Sequence, residues 1–506
     1  MSYKPFRLLS SALVVALGVA ACSSPATDTS ATSGNASGNA TITIAQTTAP
    51  STLDPQGSSL FADRFAWQLS YECLMHTTAT GEVQPALATA YTLSPDGLTY
   101  TFTLRKGVKF SNGETFSADD VVYTFDRLKG NKDAIIEQLF PTYLGVSKVD
   151  NDTVKFTLKK PDAGFLYNMG NPLVWGCGIL NKKAKANLTS AMVGTGAWTQ
   201  KSYQPNTSLS LVRNDQYWGE KTKSKDLVIL YMTTMATQVA NLKAGKVDII
   251  FPDQGSVGAL KGFQVDTVHT DSTIFLQINN TLPPLDNPKV AQAVALSFDR
   301  KALADGAYPG GAQPSGYLPP GLSWAPKPSE LPNYTQDIPK AKQLLSEAGY
   351  PDGVKLDLMY ITGYDPGTND LVALMQNQLQ KAGFKISLNP LEAAAWNEKL
   401  MAPSFGISWQ KQSSYPNPYQ YIAPAPGRQG PTPEKLQSAI DNALAAPSPA
   451  DFQKRLVEVS KLEATIVYPT VTLLAVDAFV ARSNLIHGPT MSSDESRGFL
   501  ANVTKG

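Results

Sequence analysis

The early part of the folded body has apolar residues at alternating positions, which is the spacing of β-strands. Within Thr99–Leu104 every second side chain is large and apolar, and the segment follows a Pro-Asp-Gly turn at residues 95–97. A helix is predicted to begin at Ser117, because Asp119 and Asp120 complement the dipole of its first turn and an apolar stripe follows. An antiparallel unit with one helix is therefore expected here.

After Lys225 the pattern changes to strands that alternate with helices. The predicted elements are strand 227–232, helix 235–243, strands 247–251 and 273–278, helices 288–305 and 341–348, strand 354–359, helix 371–381, strand 385–388, helices 433–444 and 451–466, and an apolar strand region at 471–480. Alternation of this kind is typical of α/β proteins. We therefore predict an α/β fold with an antiparallel-rich insert early in the chain.

The N-terminus differs from the rest of the chain. Two basic residues precede an apolar stretch at 8–19, and two alanines stand directly before Cys22. This pattern is typical of a secretory signal peptide, which we predict over residues 1–21. The alanines and the cysteine resemble the lipobox of bacterial lipoproteins, which implies a lipid on Cys22 and an anchor on the outer face of the cytoplasmic membrane. Residues 22–40 are mostly small and polar, so a flexible tether is expected there.

Two further cysteines, Cys73 and Cys177, remain in the predicted mature chain, and neither belongs to a Cys-x-x-Cys pair. A zinc site or a thioredoxin-like motif therefore has no support. Export to an oxidising compartment would allow a disulfide bond between them. Two buried thiols are an alternative of nearly equal weight, because the sequence does not give the distance between the side chains.

Composition and motifs exclude several classes of function. The chain has 43 basic and 42 acidic residues and no charge block, which argues against nucleic acid as a partner. Its three histidines are far apart, and it has no H-E-x-x-H zinc motif, no G-x-S-x-G nucleophile elbow and no P-loop. An S-x-x-K match at residues 408–411 lacks its companion motifs. We therefore expect no catalytic residue, no metal and no cofactor, and a binding protein rather than an enzyme.

Several blocks resemble the family 5 extracytoplasmic solute-binding proteins of ABC importers, the oligopeptide, dipeptide and nickel type. The most specific is residues 85–129, with a Pro-Ala-Leu-Ala lead, an FTLRKGVKF strand, an NGETF turn and an ADDVVYTFDR helix. Residues 194–198 (GTGAW), 213–218 (RNDQYW) and the helical segment 286–301 are similar to other elements of the family. The last segment departs at Ala291, where the family has an arginine.

The resemblance implies a class II periplasmic-binding-protein-like α/β fold with three lobes and a ligand cleft between lobes I and III. The expected boundaries are lobe I at 41–80, 191–275 and 481–506, lobe II at 81–190, and lobe III at 276–480, with the family module spanning about 84–430. Lobe II, which contains the most specific block, is expected to be scaffold. Closure of the cleft about a hinge would couple capture of the ligand to docking on the permease.

Candidate ligand contacts are carried over from the family's W-x-x-D stretch, whose aspartate meets the amino terminus of a bound peptide. The matching segment is 405–418, where Trp409 is kept and either Gln412 or Ser413 takes the place of the aspartate. Tyr415 follows in the same segment. Trp409 has two readings of equal weight, stacking on the ligand or packing in the core.

A second candidate contact is Thr362, which stands where dipeptide-binding members have an arginine. Both charged ligand contacts of the family, the aspartate and the arginine, are thus expected to be absent; we call them the charged clamps. Since an unpartnered buried charge costs several kcal/mol, the pocket should favour a neutral or differently charged ligand, or hold a peptide by its main chain.

The leading hypothesis for function is an importer subunit that captures oligopeptides or dipeptides, acting as a monomer with an ABC permease and its ATPase. A non-peptide solute is the alternative: an oligosaccharide, an opine, a metal chelate or haem. A secreted hydrolase or a sensor lipoprotein is the alternative of another class.

Overall fold

The computed structural model describes residues 40–57, 61–78, 80–130, 140–170, 176–184, 187–365, 367–402, 404–413, 417–422, 431–488, 500 and 502–506. The predicted signal peptide, the tether up to residue 39, Cys22 and Tyr415 lie outside the described residues. Within these ranges no helix is long and apolar enough to cross a membrane.

The strands of the described chain are numbered in chain order. They are β1 Thr41–Gln46, β2 Met75–Thr77, β3 Val83–Pro85, β4 Ala88–Leu93, β5 Thr99–Leu104, β6 Tyr143–Asp150, β7 Thr153–Leu158, β8 Trp198–Gln204, β9 Ser208–Arg213, β10 Asp226–Tyr231, β11 Ile249–Ile250, β12 Gln264–Val268, β13 Thr273–Ile278, β14 Ala312–Pro314, β15 Val354–Ile361, β16 Phe384–Leu391, β17 Ile407–Gln412, β18 Thr470–Val476, β19 Ala478–Arg482, β20 Ile486–His487 and β21 Thr504–Lys505.

The helices are numbered in the same way. They are α1 Phe61–Trp67, α2 Ala118–Gly130, α3 Gly164–Asn168, α4 Met235–Lys243, α5 Gln254–Val257, α6 Pro288–Leu296, α7 Arg300–Ala307, α8 Ile338–Glu347, α9 Thr368–Lys381, α10 Ala393–Met401, α11 Glu434–Leu444 and α12 Pro449–Ile466.

The first large sheet has seven strands in the order β12-β19-β11-β1-β10-β9-β8. In it β1 is parallel to both β10 and β11, which brings together segments from distant parts of the chain. Ile42 and Ile44 are fully buried, because alternate residues of a strand point to the same face of the sheet. Trp67 at the end of α1 packs in the same core.

The second large sheet has six strands in the order β14-β18-β13-β17-β15-β16. In it β15 is parallel to both β16 and β17, and helix α9 joins β15 to β16, as a parallel connection requires. Leu371, Met375 and Leu379 recur every fourth residue along α9 and lie in the core of this sheet.

The third sheet has four antiparallel strands in the order β4-β5-β7-β6. Phe102, Phe125 and Phe156 form its centre, with ring centroids 5.6 Å apart for Phe102 and Phe156 and 4.8 Å apart for Phe125 and Phe156. Phe102 and Phe125 come from the most specific family block, so the aromatic residues of that block form a hydrophobic core. The early antiparallel unit and the later α/β alternation agree with the predicted fold class.

A disulfide bond joins Cys73 to Cys177 beside this third core, with the two Cα atoms 5.2 Å apart. Both cysteines are buried among the apolar residues that pack on the four-stranded sheet. Of the two alternatives that the sequence left open, the structure therefore has the disulfide.

Two other family-like motifs meet at one carboxylate, that of Glu72. It accepts hydrogen bonds from the hydroxyl groups of Thr195 and Tyr217 and from the indole N–H of Trp218, all between 2.7 and 2.8 Å. Desolvation raises the pKa of Glu72, and these three hydrogen bonds oppose the rise. The motifs GTGAW and RNDQYW thus stabilise the chain where it passes from the third sheet back to the first.

One predicted element proves to be wrong in its continuity. The helix predicted at 288–305 is two helices, because Asp299 begins a new one: its side chain accepts a hydrogen bond from the N–H of Ala302 at 2.9 Å. The apolar strands predicted at 471–480 are two, β18 in the second sheet and β19 in the first, and Asp477 separates them.

Candidate functional site

Within the described residues the chain passes between the two large sheets twice. The first connection, residues 269–272, leads from β12 in the first sheet to β13 in the second. The second connection is the single residue Asp477, between β18 and β19. Both crossings lie a few residues before the predicted lobe boundaries at 275/276 and 480/481. Two short connections that run side by side between two sheet-based units are the architecture of a hinge.

The two connections are hydrogen-bonded to each other. The hydroxyl of Thr270 donates to the carbonyl of Val476 at 2.6 Å, and the N–H of Val476 donates to the carbonyl of Ser272 at 2.8 Å. His269 Nδ1 lies 2.9 Å from Asp477 Oδ1. Burial raises the pKa of Asp477, and the hydrogen bond to His269 opposes the rise. These contacts tie the crossing segments side by side.

A cavity of about 400 Å³ lies against this hinge. On the side of the first sheet it is lined by residues 251–255, which follow β11, and by Phe479. On the side of the second sheet it is lined by the end of α7, the start of α9 and one residue of β17, Lys411. The hinge residues 476–478 complete the wall. The cavity is therefore bounded by both units, and turning about the hinge would change its width.

A direct hydrogen bond also spans the cavity wall. The side-chain amide of Gln254, at the start of α5, donates to the carbonyl of Pro309, beyond the end of α7, at 2.7 Å. The N–H of Asp477 donates to the carbonyl of Gly311 at 2.9 Å. These bonds join the two units beside the crossing segments.

Asp365 accepts several hydrogen bonds in the wall of the cavity. It lies in the turn between β15 and α9, and its Oδ1 accepts hydrogen bonds from the hydroxyl of Tyr308 at 2.9 Å, the N–H of Gly367 at 3.0 Å and the hydroxyl of Thr368 at 3.0 Å. Its other oxygen, Oδ2, lies 3.3 Å from the Nζ atom of Lys411. The carboxylate is thus fixed by three neutral donors and faces one cation.

The remaining charged residues of the lining are acidic: Asp253, Asp370 and Asp477. Asp253 caps α5, accepting from the N–H of Ser256 at 2.8 Å, and Asp370 lies in the first turn of α9. The site predicted from the sequence was to have no charged clamp. The cavity contains charged side chains, but at positions other than the family's aspartate and arginine.

Trp409 belongs to the core of the second sheet. Its side chain is 1% exposed, and the ring of Tyr364 packs edge-on against it at 5.2 Å between centroids. Tyr364, by contrast, is 50% exposed. Of the two readings of Trp409, the geometry is that of core packing, and Tyr364 is the ring that solvent reaches.

The other predicted contacts lie near the cavity without lining it. Gln412 pairs with Thr273, the first residue after the hinge, and Ser413 follows it and is exposed. Thr362 is half-buried at the end of β15, and its N–H donates to the carbonyl of Leu391 at 2.9 Å. Ligand contacts of these residues stay predictions, as does that of Tyr415.

The residues that do line the cavity are neighbours of the predicted ones. Lys411 directly precedes Gln412, and Asp365 follows Thr362 by three residues in the same turn. The sequence did point to both residues, since Lys411 lies in the segment 405–418 and Asp365 lies in the same turn as Thr362, the two places selected by the resemblance. Asp477 and Gln254 gave no signal, because the hinge that positions them depends on strand order. Among the described residues, no group of three or more His, Cys, Asp or Glu side chains is arranged to hold a metal ion.

Two sheet-based units, joined by paired crossings and separated by a cavity at the crossing, define an extracytoplasmic solute-binding protein of the periplasmic-binding-protein type. Comparisons with known proteins agree. The model of the bacterial extracellular solute-binding proteins, family 5, matches residues 82–431. The chain therefore belongs to this family of ABC-transporter solute-binding proteins, whose members bind solutes outside the cytoplasm rather than catalyse reactions.

Relatives with known names span several ligands. The chain is 30% identical over 449 residues to heme-binding protein A of Haemophilus influenzae, covering 81% of each chain. It is 30% identical over 353 residues to the glutathione-binding protein GsiB of Salmonella choleraesuis, covering 68% of each. The crystal structure of a dipeptide binding protein from Pseudoalteromonas sp. SM9913, in complex with Met-Leu, has the same fold, with a TM-score of 0.71 and 23% identity over 92% of this chain and 100% of that one.

Proposed function

We propose that this protein captures short peptides outside the cytoplasm and delivers them to an ABC permease. The observation that carries the proposal is the cavity of about 400 Å³ at the hinge, bounded by both units and lined by charges of both signs. Ligand pockets generally measure about 300–1,000 Å³, so this one suits a solute of a few residues. A short peptide has an ammonium group, a carboxylate and main-chain groups, which match such a lining.

Delivery follows from the hinge. The ligand would contact both units only when they are closed, so binding favours the closed state by its differential affinity for the two states. The permease would recognise that closed state, and its ATPase would drive the import. We propose lobes I, II and III at the boundaries given above, with lobe II as scaffold, and a monomeric working form.

Attachment to the membrane is proposed to occur through a lipid on Cys22. The support is the sequence alone: a signal-like segment, the two alanines before the cysteine and the polar stretch after it. The tether would hold the folded body close to the permease on the outer face of the cytoplasmic membrane.

Native mass spectrometry of residues 23–506, the predicted mature chain without its lipid-bearing Cys22, tests the peptide proposal. A tightly held ligand survives purification, so we expect a series of added masses that fit short peptides. A single non-peptide mass, or binding of haem in place of a peptide mixture, would contradict the peptide assignment and leave the role in import intact.

Haem is the second candidate. It is favoured by one observation, the 30% identity to a protein named heme-binding protein A over 81% of this chain. A turnover of esters or peptides by the purified protein would instead favour the hydrolase alternative. Intact uptake in a deletion strain with an altered response would favour a sensor.

A further inference from the structure

We propose that Lys411 determines specificity by receiving a carboxylate of the ligand, and that this protein therefore selects solutes with a free carboxylate. The inference deepens the proposed function, because it rests on the cavity being the ligand site. A carboxylate is shared by two sources, the carboxyl terminus of a peptide and the propionate of a haem, and the experiment below separates them.

Lys411 is placed by strand β17 with its ammonium group in the cavity wall. The strand is held on one side by β13, which begins at the hinge, and on the other by β15. The Lys411 side chain is 23% exposed, so most of the side chain is withdrawn from bulk water, and it contributes to the lining of the cavity. It is the one cationic side chain among the described residues that line the cavity.

The donors of Lys411 are only partly used. A lysine ammonium has three N–H donors. Within the described part of the chain, one acceptor lies within hydrogen-bonding distance, Asp365 Oδ2 at 3.3 Å, and the ring of Tyr364 lies 5.9 Å away. That single bond is long for a charge-assisted hydrogen bond, which is usually about 2.7–2.9 Å. Two donors therefore remain for water in an empty cavity or for a ligand in a filled one.

Asp365 positions the ammonium group of Lys411 and leaves its other N–H donors available to a ligand. Its Oδ1 is occupied by the three donors from Tyr308, Gly367 and Thr368, so the carboxylate keeps its position whether or not a ligand is present. The pair with Oδ2 limits the motion of the ammonium group. Restricting the side chain in advance lowers the entropy that binding must overcome.

The neighbouring charges limit which carboxylates can bind. Asp253, Asp370 and Asp477 also line the cavity, and they repel a ligand that carries only negative charge. A carboxylate binds where its attraction to the ammonium group of Lys411 exceeds its repulsion by these acidic residues. A ligand that also has an ammonium group gains from the acidic residues, so zwitterions should bind better than simple acids.

The test compares acids with their methyl esters, which keep the shape and remove the charge. The probes are an enzymatic hydrolysate of casein before and after methyl esterification, and haemin with its dimethyl ester. Binding to the mature protein is measured by native mass spectrometry, and dissociation constants of the retained species are measured by calorimetry. The variants are Lys411→Met, which keeps the length of the stem, and Lys385→Met, a matched control at an exposed position on β16.

Wild type and Lys385→Met should bind the acid about 10- to 100-fold more tightly than the ester, the range of a charge-assisted hydrogen bond in a partly dehydrated site. Lys411→Met should bind the acid weaker by a similar factor and lose the discrimination against the ester. Lys411→Arg should keep discrimination, since it keeps the charge. Thermal unfolding of each variant verifies that it is folded.

Each outcome decides at least one of the two proposals. Discrimination with the casein peptides supports both. Discrimination with haemin alone supports the role of Lys411 and overturns the peptide assignment. Equal affinity of wild type for acid and ester, or discrimination that persists in Lys411→Met, overturns the role of Lys411 while the peptide assignment stands. A wild-type protein that retains neither casein peptides nor haemin overturns the inference together with the peptide assignment.

Discussion

The disulfide bond between Cys73 and Cys177 allows a quantitative prediction. The two residues are 104 positions apart and are 2% and 1% exposed. The loop that they close contains all four strands of the third sheet and helix α2. Breaking this cross-link removes no packing contact in principle. Its main effect is to raise the conformational entropy of the unfolded chain.

The expected loss follows from the length of the loop. The chain-entropy relation for a cross-link gives about 4.7 kcal/mol at 25 °C for a loop of 104 residues. This is a large fraction of the 5–15 kcal/mol typical of folded domains, so the third sheet should be the part most affected.

Guanidinium unfolding of the mature wild type, with and without a reductant, measures this term, because the reduced protein keeps both sulfur atoms. The double variant Cys73→Ala, Cys177→Ala is the matched control, and its unfolding should not respond to the reductant. Comparing it with reduced wild type isolates the packing of the two sulfur atoms. Thiol titration of denatured, unreduced protein from residue 23 onward should detect no thiol.

Two results would refute the reasoning. Unfolding midpoints that coincide with and without reductant would show that the cross-link contributes little to stability. Two thiols in the unreduced protein would show that the bond does not form in the exported chain.

Three further predictions concern single residues. Glu463 is fully buried, both of its carboxylate oxygens lack a hydrogen-bond partner in the described structure, and desolvation raises its pKa well above the usual 4.5. The contribution of Glu463 to the free energy of unfolding is thus intact below pH 4.5 and is lost as the pH rises towards the pKa in the folded state. In that pH range the wild type should lose about 1.4 kcal/mol per pH unit relative to Glu463→Gln. Parallel pH profiles of the two unfolding free energies would contradict this. Gly194→Ala should destabilise the protein by about 3 kcal/mol or more, since its Cβ would lie within 2 Å of the backbone carbonyl oxygen of Ser70. Gly258→Ala is the control, because its Cβ would lie in open space and should cost no stability. Equal melting temperatures of the two variants would count against the scaffold role of the GTGAW motif. Cys22→Ser should move the protein from the membrane fraction to the soluble fraction in a bacterial host and abolish the lipid mass, and an unchanged distribution would rule out the anchor.

Much of the fold is local and was accessible from the sequence. The periodicity of 235–243 and 273–278 predicted elements with the observed bounds, because each forms one regular element with one buried face. The Pro-Asp-Gly turn and the alternating residues of β5 predicted the antiparallel unit for the same reason. The family blocks predicted a solute-binding protein, since their aromatic and glycine residues form the cores and close contacts that any member with this fold needs.

The hinge and the cavity were decided by tertiary structure. The run 471–480 is uniformly apolar around Asp477, so its pattern cannot reveal that one half pairs in the second sheet and the other half in the first. Strand order depends on contacts between residues hundreds of positions apart, such as Thr270 with Val476.

The site itself shows the same division. Sequence resemblance selected the segments that contain Thr362 and Gln412. A resemblance matches the positions of residues along the chain, but it does not give the direction in which each side chain points. Which side chain reaches the cavity depends on the face that each strand and turn presents once the sheets have formed. Asp365 and Lys411 become a pair only because β15 and β17 lie side by side in the folded sheet, and that adjacency is a property of the tertiary structure alone.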